Sequence, residues 1–329
     1  MEIMENKSIY KQFYNKLIIA TSIFIIVLSF IFYEYAKNSF YNDIQDNLLR
    51  QAEQIERNYI SPDKFTPVKT DIQTINLIKI KKEFEIDFVV ANGENASHGF
   101  GLTVQGCSEL LKSGIDLITG GNHSFDKKKD MMALLETQNV LRPDNYPEGL
   151  IGSGVKICDI QTQNGIEKLA VINLMGQYGM PTVENPFNWA KRLVSNLHEQ
   201  NIKNIFIDFH AEATSEKRIM LMMFKNQVSA ICGTHTHVGT DDLQIFENTA
   251  YLTDIGLTGC RDNVIGMESK IPIQKVTTGI GGHFEVPNSC KSILQMFVVD
   301  IEDGKASSAF KIKKYCNNPK LFITEAYID

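Results

Sequence analysis

The sequence lacks the paired cysteines of a zinc ribbon and of a disulfide-stapled scaffold. Six cysteines are scattered through 329 residues, and no two of them form a Cys-x-x-Cys pair. This scatter predicts free thiols, buried or partly buried, in a reducing compartment. The six positions are Cys107, Cys158, Cys232, Cys260, Cys290 and Cys316.

An excess of positive charge is missing as well. The formal net charge is -6 at pH 7, so the chain has no basic footprint for nucleic acid. The sequence shows no internal repeat and no low-complexity stretch. Its hydrophobic content of 43% and charged content of 22% are those of an ordinary globular protein, and its length suits one large domain or two smaller ones.

One long uncharged stretch, residues 17–33, follows three lysines near the N-terminus. At about 1.5 Å per residue this stretch reaches roughly 26 Å, the short limit for a membrane-spanning helix. No Ala-x-Ala cleavage site follows it, so we expect an uncleaved transmembrane anchor whose lysines lie in the cytoplasm. Everything after Tyr33 then lies outside the cytoplasm. The alternative is a buried core helix.

Residues 36–60 have the apolar spacing of an amphipathic helix next to the membrane. We interpret residues 1–60 as an anchor with a juxtamembrane helix, an arrangement similar to the start of a bacterial membrane sensor. Pro62 and Pro67 break the pattern and indicate a linker at residues 61–74. A domain of residues 75–329 follows.

Apolar runs of strand length alternate with helical patterns from about residue 75. This alternation predicts an α/β domain with a mostly parallel sheet and helices on both of its faces. From Ser292 onward, two strand patterns flank the turn Asp303-Gly304, and this arrangement predicts an antiparallel pair.

Four of the predicted strands end in polar residues that are suited to binding metal. Ligands of open α/β sheets bind beyond the carboxyl ends of the strands, so we expect these side chains to meet. One carboxylate, two amides and four imidazoles are too many for one tetrahedral zinc and suit two adjacent ions of iron, manganese or zinc type, with Glu94 as the bridge. The residues are Glu94, Asn95, Asn122, His123, His210, His235 and His237.

Each cluster also has a simpler explanation when it is taken alone. The pair Glu94-Asn95 suits a helix cap, and Asn122 suits a turn after two glycines. His123 suits a surface position and His210 suits a core position. His235 and His237 suit a polar turn. The recurrence of such clusters at corresponding strand ends favours the metal site.

Two neighbouring metal ions are a device for hydrolysing phosphoesters. The leaving alkoxide needs a proton, and His123, adjacent to the ligand Asn122, is the candidate general acid. We interpret Glu212 as a solvated surface glutamate, with the alternative that it orients a ligand histidine.

The chain resembles the calcineurin-like metallophosphoesterase superfamily through two motifs, Gly-Asn-His at residues 121–123 and Gly-Thr-His-Thr-His at residues 233–237. More closely, it resembles the bacterial YmdB family of cyclic-nucleotide phosphodiesterases over about residues 75–329. The stretches that carry this closer resemblance are residues 92–99, 121–123, 142–143, 147–149, 208–217 and 249–256.

The resemblance implies a four-layer α/β/β/α sandwich, a di-iron-like centre and hydrolysis of 2′,3′-cyclic nucleotides. It also implies a domain that works in the cytoplasm, which conflicts with the topology expected from the anchor. Manganese and zinc are alternatives to iron, because nitrogen and oxygen ligands suit all three. It implies that Glu94 bridges the two metals and that His123 is the acid. Asn122, His210 and His235 then complete one metal site. Asn95 and His237 contribute to the other site.

The sequence departs from the family at its beginning. The family starts with an apolar strand that ends in Gly-Asp, and that aspartate binds the first metal. No such strand precedes residue 75, so we expect a sandwich without its first strand, a weakened first site and fewer than two ions per chain. We interpret the junction as a fusion of two gene fragments, or as a reading-frame or assembly artefact.

We therefore predict a metal-dependent phosphodiesterase whose partners are a small phosphodiester substrate and the membrane, with association of identical chains left open. The alternative is a catalytically impaired, membrane-tethered protein that only binds nucleotide or a partner. A sensor fragment ranks last, because it depends on residues 1–60 alone.

Overall fold

A computed structural model describes residues 77–137, 139–287 and 289–328. The described residues form six helices and thirteen strands, numbered here in chain order. Helices α1 to α6 are Leu77–Glu83, Val104–Lys112, Lys128–Leu135, Pro186–Glu199, Thr214–Phe224 and Lys270–Thr278. Strands β1 to β13 are Val90–Asn92, Leu117–Thr119, Val155–Thr162, Gly165–Met175, Asn204–His210, Ala230–Thr234, Gln244–Phe246, Thr249–Leu252, Gly259–Cys260, Ser292–Glu302, Lys305–Tyr315, Leu321–Glu325 and Tyr327–Ile328.

These strands form three sheets. Strands β1 and β2 pair in parallel as a two-stranded sheet. A seven-stranded sheet has the order β13-β7-β8-β6-β5-β4-β3. Neighbours among β4, β5, β6 and β8 are parallel, as are β13 and β7, whereas β3 is antiparallel to β4 and β7 to β8. The remaining four strands form an antiparallel sheet, β12-β11-β10-β9. The α/β class is confirmed, with mixed rather than purely parallel sheets.

Side chains of β4 show how the seven-stranded sheet is buried. Ala170, Ile172 and Leu174 pack in one cluster with the apolar stripes of α4 and α5. Val171 points to the opposite face and packs with Leu117 of β2, as the alternation of a strand requires. The prediction of helices on both faces of one sheet is therefore wrong. The second face is covered by other strands. An apolar run in the sequence does not show whether helices or strands bury it.

The two-stranded and four-stranded sheets are also buried through apolar side chains. Helices α2 and α3 pack with Ile118 of the two-stranded sheet. Ala306 and Ala309 of β11 pack against Ala250 and Leu252 of β8, so the antiparallel sheet also lies against the seven-stranded one. Strands β10 and β11 join at residues 303–304, which confirms the predicted antiparallel pair.

Local sequence explains where two of the helices begin. The Thr103 hydroxyl accepts a hydrogen bond from the backbone N–H of Gly106 at 3.1 Å and caps α2. The Asn185 side chain accepts hydrogen bonds from Phe187 and Asn188, and Pro186 occupies the first turn of α4. These caps satisfy N–H groups that have no partner inside a helix.

The predicted anchor at residues 17–33, the juxtamembrane helix and the linker lie outside the described residues. Within residues 77–137, 139–287 and 289–328, no helix is long and apolar enough to cross a membrane. The anchor and the missing first strand remain predictions.

The prediction that all cysteines are free is wrong for one pair. Cys260, at the end of β9, forms a disulfide with Cys290 across 30 residues. The other four cysteines are free thiols. A bond between residues so far apart depends on how the intervening segment folds back, and the spacing of cysteines does not reveal that.

Candidate metal centre

Four strand ends from two sheets deliver the predicted ligands to one place. Glu94 follows β1 and Asn122 follows β2, both in the two-stranded sheet. His210 ends β5 and His235 follows β6, both in the seven-stranded sheet. The site therefore lies where the carboxyl ends of two facing sheets meet.

The first ligand group centres on His210. Its Nε2 lies 2.9 Å from Asn122 Oδ1, 3.1 Å from Glu94 Oε1 and 3.1 Å from His235 Nδ1. The side chains of Glu94 and His210 are almost completely buried. Ligand atoms of Glu94, His210 and His235 all lie within 4.8 Å of one another. This spacing is small enough for one cation.

The second ligand group adjoins the first through Glu94. The Asn95 amide donates to Glu94 Oε2 at 3.1 Å and lies 3.0 Å from His237 Nε2. His237 Nδ1 donates to the carbonyl of Ile265 at 2.8 Å, which leaves Nε2 facing the group. The structure thus brings all six predicted metal ligands into two groups that share one carboxylate.

The residues present fit a cation on two observations. Glu94 Oε1, Asn122 Oδ1 and His210 Nε2 converge although oxygens of a carboxylate and an amide only accept hydrogen bonds. Asn95 Oδ1 is buried without a hydrogen-bond partner within the described structure, and leaving such an atom unsatisfied costs free energy. Nitrogen and oxygen donors of this kind suit iron, manganese or zinc.

Charge within the site favours the forms that bind metal. Burial alone raises the pKa of Glu94, but the charge and hydrogen bond of His210 and the backbone N–H of His123 lower it to about 2. Burial and the neighbouring His210 lower the pKa of His235 to about 4, against the opposing charges of Glu94 and Glu212. At neutral pH the carboxylate is ionised and this imidazole is neutral.

His123 lies beside the ligands and does not share their cluster. Its backbone N–H donates to Glu94 Oε1 at 2.9 Å, while its ring Nδ1 bonds Asp126 Oδ2 at 2.7 Å and its edge packs on Phe100. Burial lowers the pKa of His123, but the hydrogen bond to Asp126 and the charges of Glu94 and Asp126 outweigh burial and raise it. Sequence reasoning missed Asp126, although a carboxylate three residues after the histidine was visible.

Glu212 is an exposed surface glutamate, as predicted, and it also contacts a predicted ligand histidine. Its Oε2 lies 3.1 Å from His235 Nε2, with about half of the Glu212 side chain exposed. The contact fixes the ring so that Nδ1 of His235 faces His210. This contact is the one that the alternative interpretation requires, in which Glu212 orients a ligand histidine.

A buried ion pair supports the turn that carries His235 and His237. Lys217 of α5 bonds Asp254 at 2.7 Å, and each side chain is 1% exposed. The same Asp254 oxygen accepts the backbone N–H of Thr236 at 3.1 Å. Sequence reasoning missed this pair, because the two residues are 37 positions apart. Taken alone, each is interpreted as a charged residue on the surface.

Backbone geometry explains the glycines of both motifs. A Cβ at Gly233 would lie 1.7 Å from the carbonyl oxygen of Thr253, and one at Gly121 would lie 2.4 Å from the His210 ring. His235 and His237 themselves have φ of 101° and 62°. Such left-handed backbone costs about 1–3 kcal/mol per residue and persists where the surroundings impose it.

Comparison with known proteins identifies the family of the chain. The family model described as YmdB-like protein matches residues 69–314. The chain belongs to the YmdB-like family. A relative in Bacillus subtilis (strain 168), a 2',3'-cyclic-nucleotide 2'-phosphodiesterase, is 41% identical over 241 residues, which cover 73% of this chain and 89% of that protein.

Two solved structures resemble the YmdB-like fold of this chain. A hypothetical protein from Thermus thermophilus has a TM-score of 0.67 at 30% identity, and the match covers 78% of this chain and 95% of that protein. A novel phosphatase from Mycoplasma pneumoniae has a TM-score of 0.64 at 29% identity, and the match covers 78% of this chain and 89% of that protein. The prediction of an enzyme of the phosphatase and phosphodiesterase class is confirmed.

Proposed function

We propose that this chain is a metal-dependent phosphodiesterase that hydrolyses 2′,3′-cyclic nucleotides. The observation that carries the proposal is the convergence of Glu94, Asn122, His210 and His235 on one point beside His123. The Bacillus subtilis relative, named for this reaction, supports the substrate class.

The ligand residues divide the work of holding two cations. Asn122, His210 and His235 would hold one cation with Oε1 of Glu94, and Asn95 and His237 would hold the other with Oε2. When bound, such a pair of cations polarises phosphoryl oxygens and supplies a hydroxide at neutral pH. Iron, manganese and zinc all suit these donors.

The role proposed for His123 is to move one proton. Water adds to phosphorus and gives up one proton to solvent, one P–O bond of the cyclic ester breaks, and the released ribose oxygen takes a proton from the protonated ring of His123. Asp126 holds Nδ1 of the ring, so Nε2 is the nitrogen that can reach the substrate. General acid catalysis of this kind contributes about 10²–10⁴-fold to the rate.

The test is turnover of 2′,3′-cyclic AMP by the full chain in the presence of Mn²⁺, Fe²⁺ or Zn²⁺. We expect His123→Ala to lower kcat by about 10²–10⁴-fold while metal content stays unchanged. His198→Ala is the matched control, since that ring bonds the carbonyl of Gln227 at an exposed position on α4. Full activity of His123→Ala would refute the acid role.

One observation favours a second candidate function. In the described residues the second ligand group, which corresponds to the site predicted to lack its aspartate, offers only Glu94, Asn95 and His237, one ligand fewer than the first group. A nucleotide-binding protein with impaired catalysis would bind 2′,3′-cyclic AMP but leave it intact when metal is in excess. Metal analysis should then give clearly fewer than two ions per chain.

We also infer that the domain is a four-layer α/β/β/α sandwich. The clusters that join β2 to β4, and β11 to β8, support two facing sheet layers with helices outside. Attachment to a membrane through residues 17–33 stays a prediction.

A further inference from the structure

Asp208 is a carboxylate at the centre of the fold that the proposed chemistry does not use. It lies in β5 and is 2% exposed. Its Oδ2 accepts hydrogen bonds from Thr119 Oγ1 at 2.5 Å and Asn92 Nδ2 at 3.1 Å, and its Oδ1 accepts from Thr234 Oγ1 at 2.8 Å. Burying a carboxylate is costly unless hydrogen bonds replace those that it made with water. The three donors around Asp208 provide that compensation.

The three donors share one property, since each stands just before a ligand in the sequence. Asn92 precedes Glu94 by two residues, and Thr119 precedes Asn122 by three. Thr234 immediately precedes His235, and Asp208 itself precedes His210 by two. One carboxylate therefore ties together the ends of β1, β2, β5 and β6.

The link through Thr234 reaches the metal-binding nitrogen of His210. Because the Thr234 hydroxyl donates its hydrogen to Asp208, its oxygen remains as an acceptor for His210 Nδ1, 3.0 Å away. A neutral imidazole that donates from Nδ1 has its lone pair on Nε2. That lone pair points into the first ligand group, toward Asn122 and Glu94.

We propose that Asp208 is a positioning residue of the metal centre. Through Thr234 it selects the tautomer of His210 that binds a cation. The inference rests on the metal-binding part of the proposed function and not on the substrate. Partners of this kind affect metal affinity because they orient a ligand ring and increase its basicity.

Two threonines on the same carboxylate provide a matched test. Thr234→Val removes the link between Asp208 and His210 with almost no change in side-chain shape, and Thr234→Ser restores the hydroxyl. Thr119→Val, the control, removes a hydroxyl from the same Asp208 but leaves the link to His210 intact. Both threonines are buried, so loss of packing alone would affect the two valine variants alike.

Two measurements on the full chain need no substrate. Competition between the protein and a chromophoric chelator for Zn²⁺ gives metal affinity, and ¹⁵N NMR of the metal-free, histidine-labelled protein gives the His210 tautomer. We expect Thr234→Val to lower zinc affinity about 10–100-fold and to lose the Nδ1–H tautomer. Thr119→Val should keep this tautomer and most of the affinity, and Thr234→Ser should recover both.

Three results would overturn the inference. These are an Nε2–H tautomer in the unchanged protein, wild-type zinc affinity in Thr234→Val, and equal loss of affinity in both valine variants. Failure of the proposed function is distinguishable, because a chain with the expected tautomer and affinities but no hydrolysis of 2′,3′-cyclic AMP would contradict only the substrate assignment.

Discussion

Replacing Lys217 by methionine should destabilise the protein more than any surface charge change. The Lys217–Asp254 pair is 2.7 Å long with both side chains 1% exposed, so Lys217→Met leaves a buried carboxylate without its cation. Breaking a buried pair on one side costs about 3–5 kcal/mol. Asp254 keeps its hydrogen bonds from the N–H groups of Thr236 and Gly256, which places the expected loss nearer the lower value.

The matched control is Lys225→Met at the end of the same helix. Lys225 pairs with Glu247 at 2.6 Å, but the side chains are 31% and 54% exposed. Exposed pairs contribute about 0–1 kcal/mol, so this variant should unfold almost like the unchanged chain. Urea unfolding of the chelator-treated proteins, followed by circular dichroism, gives both free energies. Equal losses in the two variants would refute the argument that burial makes the first pair costly to break.

The remaining predictions concern backbone, ligand support and metal. Gly233→Ala should abolish soluble folded protein, because the added Cβ would clash with the Thr253 carbonyl. Gly281→Ala is the control, since its Cβ would have only side-chain contacts near 4 Å, and it should show normal unfolding in a thermal assay. Glu212→Ala should weaken Zn²⁺ binding in the chelator assay with little change in stability, because Glu212 is half exposed and contacts His235; unchanged affinity would contradict the orienting role. Removing metal with EDTA should lower the thermal midpoint, since a ligand at 100 times its Kd stabilises a protein by about 2.7 kcal/mol; an unchanged midpoint would count against a bound metal.

The sequence was most informative where strand ends carried polar side chains. Apolar runs followed by Glu94, Asn122, His210 and His235 were enough to place these ligands at strand ends, because the carboxyl ends of parallel strands collect ligands. Apolar periodicity did not show that the strands belong to two facing sheets, since burial by helices and burial by strands leave the same pattern. Apolar periodicity also missed strand β3, the antiparallel partner of β4. In β3, buried side chains such as Cys158 and Ile160 alternate with exposed ones.

The supporting residues were beyond the reach of sequence patterns for a different reason. Asp208 lies in an apolar strand and Lys217 lies on an amphipathic helix. From sequence alone, a charged residue at either position is interpreted as exposed to solvent, because its partner is not known. Their partners are as far as 116 residues away for Asp208 and 37 for Lys217. The disulfide between Cys260 and Cys290 was missed for the same reason, as was the contact between His237 and Ile265.

The ligands of the centre are spread along the chain from Glu94 to His237. A polypeptide emerging from the ribosome therefore cannot assemble the first group until β6 and the turn after it have been synthesised. Glu94 and His210 are synthesised before His235. Binding of a cation by the proposed centre would therefore belong to a late stage of folding, after β1, β2, β5 and β6 have docked.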